Sequence, residues 1–144
     1  MAKTPIFIDN LQYANYSPAL FDEMAAAGLS AVHVTICYHE NFRQTVENII
    51  TWNRHIAAHP NRLMFGRTAA DVHAAHSSGR TAIFYGLQNC SPMEDDIGLI
   101  EILHQLGVRF MQLSYNNQSL LATGCYESEA VSYTHLTLPT KNEV

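Results

Sequence analysis

Runs of consecutive apolar residues alternate with amphipathic segments along most of the chain. Four runs have the length and the content of branched and aromatic residues that indicate buried strands: Ile6–Ile8, Ala31–Cys37, Thr81–Leu87 and Val108–Tyr115. A shorter extended piece is predicted at Arg62–Phe65. Because these runs are apolar throughout rather than alternating, we expect both faces of the sheet to be covered.

Segments with helical spacing of apolar residues lie between the predicted strands. Ser17 provides an N-cap before a proline at the first helical position, and Asn41–His59 carries an apolar face. Thr68–Asp71 has the form of a capping box, and Pro92 with Asp95-Asp96 predicts the start of a fourth helix. Strands and helices that alternate in this way predict an α/β fold built on a parallel sheet.

The composition indicates one compact domain and disfavours several kinds of partner. Of the 144 residues, 47% are hydrophobic and 15% are charged, which is enough apolar material for a single core. The formal net charge is −5 and the eight Lys and Arg residues are scattered, so we expect no nucleic-acid partner. The three cysteines form no CxxC pair, and their odd number disfavours a disulfide framework, so we expect reduced thiols. Because no apolar run is long enough for a signal peptide or a membrane span, we expect a cytoplasmic protein without a membrane partner.

Polar side chains are concentrated where the predicted strands end. Binding sites of parallel α/β proteins form beyond the carboxyl ends of the strands, and the residues at these ends are mainly amides and phenols. The alternative interpretation is that each serves as a cap or a turn residue, for which Asn and Asp are common choices. As a group they are the predicted binding site for a small polar substrate: Asp9, Asn10, His39, Gln88, Asn89, Tyr115, Asn116 and Asn117.

The eight histidines do not form a recognisable metal motif. His55 and His59 are four residues apart, but we expect them on the solvent face of their helix, without a carboxylate or thiolate partner. His39 begins a segment like the H-E-x-x-H zinc motif, but Arg43 occupies its fifth position. His33 lies inside a predicted strand, so we expect it to be packed or hydrogen-bonded rather than catalytic.

The segment Arg67–Cys125 resembles the membrane (renal) dipeptidase family of zinc metallopeptidases. The resemblance rests on Gly86–Asn89 (GLQN) at the end of one strand and on Leu106–Asn116 (LGVRFMQLSYN), which is similar to the family's fourth strand. Phe7–Asn10 (FIDN) matches the family's opening strand. The resemblance covers nearly all of residues 6–128. It implies a (β/α)8 TIM-type barrel, of which this chain would be the amino-terminal half.

The resemblance also implies two zinc ions, which activate water and polarise the scissile carbonyl of a dipeptide. The family's first strand ends in D-G-H-x-D, whose His and second Asp bind metal, and here those positions hold Leu11 and Tyr13. Gln88 stands where the family has a bridging Glu, and Tyr115 replaces a His that contacts substrate. Leu cannot coordinate a metal, and a neutral amide is a poor bridge between two dications. We therefore expect a divergent member, with no zinc site in this part of the chain.

Two hypotheses for the function follow from these observations. In the first, the parent protein is a dipeptidase-like hydrolase that acts on a small, peptide-like polar substrate, and the fragment by itself is inactive. In the second, the protein is a non-catalytic barrel that binds a small ligand or a partner subunit. A homo-oligomer is compatible with both. Acidic or basic residues at the ends of the later strands of the full-length gene product would favour the enzyme.

The last part of the chain differs from the rest. We predict that residues 1–130 form the partial barrel and that residues 131–144 are a non-native tail. The reason is that Val131–Thr140 (VSYTHLTLPT) resembles the translation of a sequencing-library adapter. The alternative is a natural strand-like segment. Under the first interpretation the chain is cut off before its natural end, and sequencing the source locus decides between the two.

Overall fold

A computed structural model describes residues 5–126, so the predicted tail at residues 131–144 lies outside the described residues. The strands are β1 (Phe7–Gln12), β2 (Leu29–Cys37), β3 (Leu63–Phe65), β4 (Thr81–Leu87) and β5 (Val108–Met111). The helices are α1 (Pro18–Ala26), α2 (Phe42–Ala58), α3 (Ala69–Ser78) and α4 (Leu99–Gln105), with a short 3-10 helix at Ser91–Met93.

The strands of the described chain pair in parallel throughout. β2 lies between β1 and β4, and β3 and β5 both pair with β4. β3 pairs with β4 from Thr81 to Ile83, and β5 pairs with it from Tyr85 to Leu87, so the two share one edge of β4. The order β1, β2, β4, β5 is that of four successive strands of a (β/α)8 barrel. The predicted α/β class with a parallel sheet is confirmed, and the extended piece at Arg62–Phe65 forms the additional short strand β3.

The two faces of the sheet are covered to different extents. Helices α1, α2 and α4 cover one face and enclose the main core, which includes Phe21, Val32, Val34, Ile36, Ile49, Trp52, Ile83, Tyr85, Leu87 and Leu103. The opposite face is called the inner face here. Helix α3 packs there over the amino ends of β2 and β4, through Ala31, Ala75, Ala82 and Phe84. The carboxyl half of the inner face carries the candidate site.

Capping residues place the starts of three helices where the sequence predicts them. Ser17 Oγ accepts a hydrogen bond from the backbone N–H three residues on, at 3.3 Å. Asn41 and Gln44 form a reciprocal pair at the start of α2, with bonds of 2.9 and 3.1 Å. Asp71 accepts from the backbone N–H of Thr68 at 2.8 Å and so closes the first turn of α3. Within residues 5–126, no helix has both the length and the apolar content needed to cross a bilayer.

Strand β1 is longer than predicted because a bulge allows it to continue. It runs to Gln12 instead of ending at Ile8. Between Asp9 and Gln12 it contains one residue more than the matching stretch of β2. Leu11 lies in this bulge with φ of 91°, a left-handed conformation that is uncommon for a residue with a Cβ. Asp9 and Asn10 therefore lie inside the strand, and their predicted position past its end is wrong.

Two other predicted boundaries are also wrong. β5 ends at Met111 rather than Tyr115, because the following residues bond within a loop; Ser114 Oγ, for example, donates to a loop carbonyl at 2.7 Å. Helix α4 begins at Leu99, later than the acidic pair predicted. The reason is that Asp96 Oδ1 accepts from the backbone N–H two residues on, at 2.8 Å, which stabilises a turn before the helix.

Candidate functional site

A cavity of about 270 Å³ opens on the inner face near the carboxyl ends of β1, β2 and β4. Its lining combines three amide side chains, one imidazole and four apolar side chains: Asn10, Leu11, His33, Leu87, Gln88, Phe110, Met111 and Gln112. Asn10 and Gln88 are predicted site residues, and Leu11 is a position where the family resemblance implies a metal ligand. The structure therefore brings Asn10 and Leu11 on β1 together with Gln88, directly after β4, at one cavity. This cavity is called the inner cavity below.

His33 forms part of the wall of the inner cavity. It is 8% exposed, and its ring stacks on Phe110 with the ring centroids 4.6 Å apart. Its Nδ1 lies 3.3 Å from Oδ1 of Asn10. Its Nε2 is buried without a hydrogen-bond partner in the described structure and faces Gly86, where an added Cβ would lie 1.5 Å away. Burial lowers the pKa of His33, so the imidazole is neutral at pH 7.

Both glutamines of the inner cavity use their amide nitrogen within the protein. Gln88 is 7% exposed, and its Nε2 donates to Thr35 Oγ1 at 2.9 Å. Gln112 Nε2 donates to the carbonyl oxygen of Ser114 at 2.6 Å. In each case the side-chain carbonyl oxygen is the group that accepts a further hydrogen bond. The two residues thus offer acceptors to a bound molecule.

A second group of predicted site residues meets at the carboxyl ends of β2 and β5. Asn89 Nδ2 lies 3.4 Å from His39 Nδ1, and the His39 ring centroid is 5.8 Å from that of Tyr115. The Tyr38 ring lies 5.6 Å from Tyr115 and 5.5 Å from Tyr13. Tyr13, Tyr38, His39 and Tyr115 are called the aromatic cluster below. Tyr13, at a position where the family resemblance implies a metal ligand, contributes a ring to this cluster.

The titratable groups on the loop after β2 are held in structural contacts. Glu40 Oε2 accepts from the backbone N–H groups of Tyr38 at 2.6 Å and His39 at 3.0 Å. Burial raises the pKa of the Glu40 carboxyl, but these hydrogen bonds outweigh that effect, and the net pKa is lowered. Cys37 Sγ lies 3.3 Å from Ser91 Oγ, and burial raises the pKa of this thiol. Glu40 therefore shapes the loop as a carboxylate, and Cys37 is a protonated, packed thiol.

Three predicted site residues do not join the inner cavity or the aromatic cluster. Asp9 is in register with Val32 of the helix-covered core, and its carboxylate accepts from Gln12 Nε2 at 3.4 Å. The backbone carbonyl of Asn116 accepts a loop N–H at 2.9 Å, so this residue holds the loop after β5. Asn117 is exposed on the same loop.

Three residues of this region were not predicted as site residues: His33, Thr35 and Gln112. Two of them could have been found in β2, where His33 and Thr35 are polar positions two residues apart in the otherwise apolar run Ala31–Cys37. Residues at this spacing lie on one face of a strand. The sequence pattern does not show which face carries the cavity, so a polar pair in a strand can equally be a packed pair.

The described residues do not provide the zinc ligands that the family resemblance implies. Leu11 offers only an alkyl group, Tyr13 packs in the aromatic cluster, and Gln88 offers an amide oxygen. Within residues 5–126, no group of three His, Cys, Asp or Glu side chains is arranged so that it could hold a metal ion. The donor chemistry at these positions does not fit a two-zinc centre.

The prediction that His55 and His59 face solvent is wrong. Their ring centroids lie 5.6 and 5.1 Å from that of Phe21 on α1, and both side chains are half-buried. His59 Nδ1 also lies 2.9 Å from the carbonyl oxygen of His55. The two histidines fill the contact between α1 and α2, which the periodicity of α2 alone does not reveal.

The fold of this chain is similar to that of several solved protein structures. The chain superposes on an amidohydrolase from Pseudomonas aeruginosa with a TM-score of 0.81 and 39% identity, over 85% of this chain and 38% of that one. It superposes on a metallopeptidase, dipeptidase AC, with a TM-score of 0.71 over 85% of this chain and 46% of that one. At 14% identity the second likeness shows the fold alone.

Comparisons of sequence agree with the structural ones. The chain is 29% identical over 84 residues to Dipeptidase verJ from Clonostachys rogersoniana, which covers 58% of this chain and 22% of that protein. This chain thus spans less than half the length of the relatives described here. The family described as membrane dipeptidase, peptidase family M19, matches residues 10–139, which include residues 131–139 of the predicted tail. The chain therefore belongs to the membrane dipeptidase family, peptidase family M19.

Proposed function

We propose that this chain forms half of the barrel of a dipeptidase-like hydrolase that acts on a small, peptide-like polar substrate. The observation that carries the proposal is the convergence of Asn10, Leu11 and Gln88 on the inner cavity. These residues come from β1 and from the end of β4, at the edge of the sheet where barrel enzymes have their active sites. Membership of the peptidase family supports a hydrolase.

The proposal includes the replacement of the amino-terminal zinc ligands. In a family member, paired zinc ions would supply water activation and polarisation of the scissile carbonyl. In this chain an alkyl group, a phenol and an amide occupy the corresponding positions, at Leu11, Tyr13 and Gln88. No catalytic step through zinc is therefore assigned to this half of the barrel.

The residues of this chain are proposed to bind and orient the substrate. Asn10 and Gln88 present neutral polar groups beside the apolar side chains of Leu11 and Phe110. The aromatic cluster and Asn89 lie at the same edge of the sheet and are proposed to contact the remainder of the substrate.

A non-catalytic barrel that binds a small ligand or a partner subunit is the alternative. The observation that favours it is that the histidine of the inner cavity, His33, has its Nε2 buried against Gly86. This nitrogen is not placed to exchange a proton with a substrate. Under both hypotheses we propose a cytoplasmic protein that binds small molecules or a second copy of itself, and neither nucleic acid nor membrane.

Hydrolysis of dipeptides by the full-length gene product tests the proposal. We expect turnover that falls about 10- to 100-fold in kcat/KM for Asn10→Ala and Gln88→Leu, because each removes a hydrogen bond to the substrate. The control is Arg43→Ala, whose side chain is 87% exposed and does not line the cavity. If no dipeptide is hydrolysed with or without added zinc, the alternative is favoured.

Elemental analysis of the purified 144-residue chain tests the replacement of the ligands. We expect much less than one zinc ion per chain, because the donors at the family ligand positions do not coordinate zinc. About one tightly held zinc per chain, lost in the Gln88→Ala variant, would contradict this part of the proposal.

A further inference from the structure

The orientation of the His33 imidazole determines which of its nitrogens carries the proton. Nε2 faces Gly86, and a Cβ added there would lie 1.5 Å from this nitrogen. A proton on Nε2 would therefore meet the Cα–H of Gly86 and would find no acceptor in the described structure. A neutral imidazole has one N–H. The proton therefore resides on Nδ1.

The Nδ1–H of His33 in turn orients the amide of Asn10. Nδ1 is 3.3 Å from Asn10 Oδ1, so the imidazole donates and the amide oxygen accepts. The NH2 group of Asn10 is then directed away from His33 and presents two N–H donors. Stacking on Phe110, at an interplanar angle of 16°, holds the imidazole in place.

The other two amides of the inner cavity have the opposite orientation. Gln88 and Gln112 use their nitrogens to donate to Thr35 and Ser114, which leaves their carbonyl oxygens as acceptors. The cavity therefore combines one fixed donor with two acceptors, and the side chains that line it include no charged one. A bound ion would therefore find no opposite charge there, whereas a neutral amide could satisfy both its donor and its acceptor.

We propose that the inner cavity binds an uncharged amide group, with Asn10 donating to its carbonyl oxygen and Gln88 or Gln112 accepting from its N–H. His33 is the positioning residue that fixes the direction of the Asn10 amide. The proposal deepens the proposed function, because it names a neutral amide as the group that the site recognises, but binding of an amide is also compatible with the non-catalytic alternative.

Nuclear magnetic resonance of the full-length gene product labelled with 15N-histidine tests the orientation of His33. We expect the nitrogen shifts of a neutral ring protonated at Nδ1, with the signal assigned by its loss in His33→Phe. A merely packed imidazole has no reason to favour this tautomer, which is usually the minor one in free histidine. A proton on Nε2, or rapid exchange between the two tautomers, would overturn the proposal.

Ligand binding tests the chemistry of the cavity, with three small probes of the same shape. We expect acetamide, a neutral amide, to bind at least about tenfold more tightly than acetate or acetamidinium, which carry a charge. We expect Asn10→Asp to weaken its binding at least about tenfold, because this variant keeps an acceptor for His33 but loses the donors. The control Asn61→Asp adds the same charge at an exposed position and is expected to change binding less than twofold.

Equal binding of acetate or acetamidinium, or an unchanged affinity for acetamide in Asn10→Asp, would overturn the proposal. If Asn10→Asp does not fold, the ranking of the three probes on the wild-type chain still decides the matter. Dipeptide turnover is measured separately. Amide binding without turnover would contradict the proposed hydrolase and support the present inference, whereas turnover without amide selectivity would do the reverse.

Discussion

The His33 side chain on β2 can be accommodated only because residue 86 on β4 is a glycine. The imidazole fills the space that any side chain at position 86 would need. His33 is 8% exposed and stacks on Phe110, while Asn10 is the partner of its Nδ1. The position and the hydrogen bonding of His33 thus depend on three neighbours that lie on three different strands.

We expect Gly86→Ala to lower the free energy of unfolding by about 1–3 kcal/mol. The added Cβ would lie 1.5 Å from His33 Nε2, and β4 is buried along its length, so the strand has little freedom to move. Urea unfolding of the two proteins measures the difference. In the His33→Ala background the same substitution should cost much less, because the clash is gone. An equal loss in both backgrounds would contradict the pairing.

We expect the stability of the chain to fall as the pH decreases below about 6.5, in part because of His33. Its folded pKa is lowered by burial, so below the unfolded value of about 6.5 the unfolded chain binds a proton that the folded chain does not. Asn10, Gly86 and Phe110, which surround the ring, are not titratable. The contribution is complete above pH 6.5, and its slope below that value is at most about 1.4 kcal/mol per pH unit.

Urea unfolding from pH 7.5 to pH 5 measures this dependence, and His33→Phe is the matched variant because it keeps a ring against Phe110. We expect the variant to lose less stability than the wild type over this range. The other seven histidines are present in both proteins, so their contributions cancel in the comparison. A dependence on pH that is the same in the two proteins would show that His33 titrates normally.

Among the helices and strands, the starts of helices are predicted from the sequence more accurately than the ends of strands. Ser17, Asn41 and Thr68 each precede a helix that the sequence predicts, because a capping side chain acts on backbone N–H groups within a few residues. The ends of β1 and β5 are set by contacts with other segments. β1 continues through a bulge at Leu11, and β5 ends where loop bonds replace the ladder.

We expect Asn41→Ala to lower the free energy of unfolding by about 1 kcal/mol. The Asn41 side chain accepts from the backbone N–H of Gln44, and the Gln44 side chain accepts from that of Asn41, so the substitution disrupts the reciprocal pair. Thermal or urea unfolding measures the change. Asn41→Ser retains a capping oxygen and should lose only a few tenths of a kcal/mol. Equal losses in Ala and Ser variants would mean that the cap contributes little.

At the scale of the whole molecule, the outer strands of the sheet leave apolar side chains exposed. Ile8 on β1 is 59% exposed and Phe110 on β5 is 42% exposed. Within residues 5–126 neither strand has a neighbour on its outer edge, and unpaired edges with apolar side chains favour association. In a closed barrel such edges pair with further strands.

We therefore expect the 144-residue chain, expressed alone, not to behave as a well-defined monomer. Its two edges can pair with those of a second copy to give a barrel-like dimer, or they can lead to aggregation. Size exclusion with light scattering measures the state. Ile8→Lys should shift it toward monomer, whereas Ile97→Lys, at a position 75% exposed outside the sheet, should not. A sharp monomer peak with a cooperative melting transition would contradict this expectation.

The α/β class, the parallel sheet, most helix starts and the family could be predicted from the amino-acid sequence. These properties depend on local periodicity, on caps and on motifs that a short stretch of chain contains. The sequence also indicated Asn10, Gln88, His39, Asn89 and Tyr115 as candidate site residues, because they lie near strand ends. Their grouping into an inner cavity and an aromatic cluster could not be predicted from spacing alone.

Which polar residues face each other could not be predicted, because it depends on how the strands pair. Asp9 and Asn10 are adjacent in the sequence, but they lie on opposite faces of β1, so one is removed from the site and the other lines it. His33 belongs to the site because Gly86, more than fifty residues away, leaves room for its ring. Side-chain partners of this kind depend on strand register and on contacts between distant segments. A one-residue bulge such as that at Leu11 changes the face on which the following side chains of the strand lie.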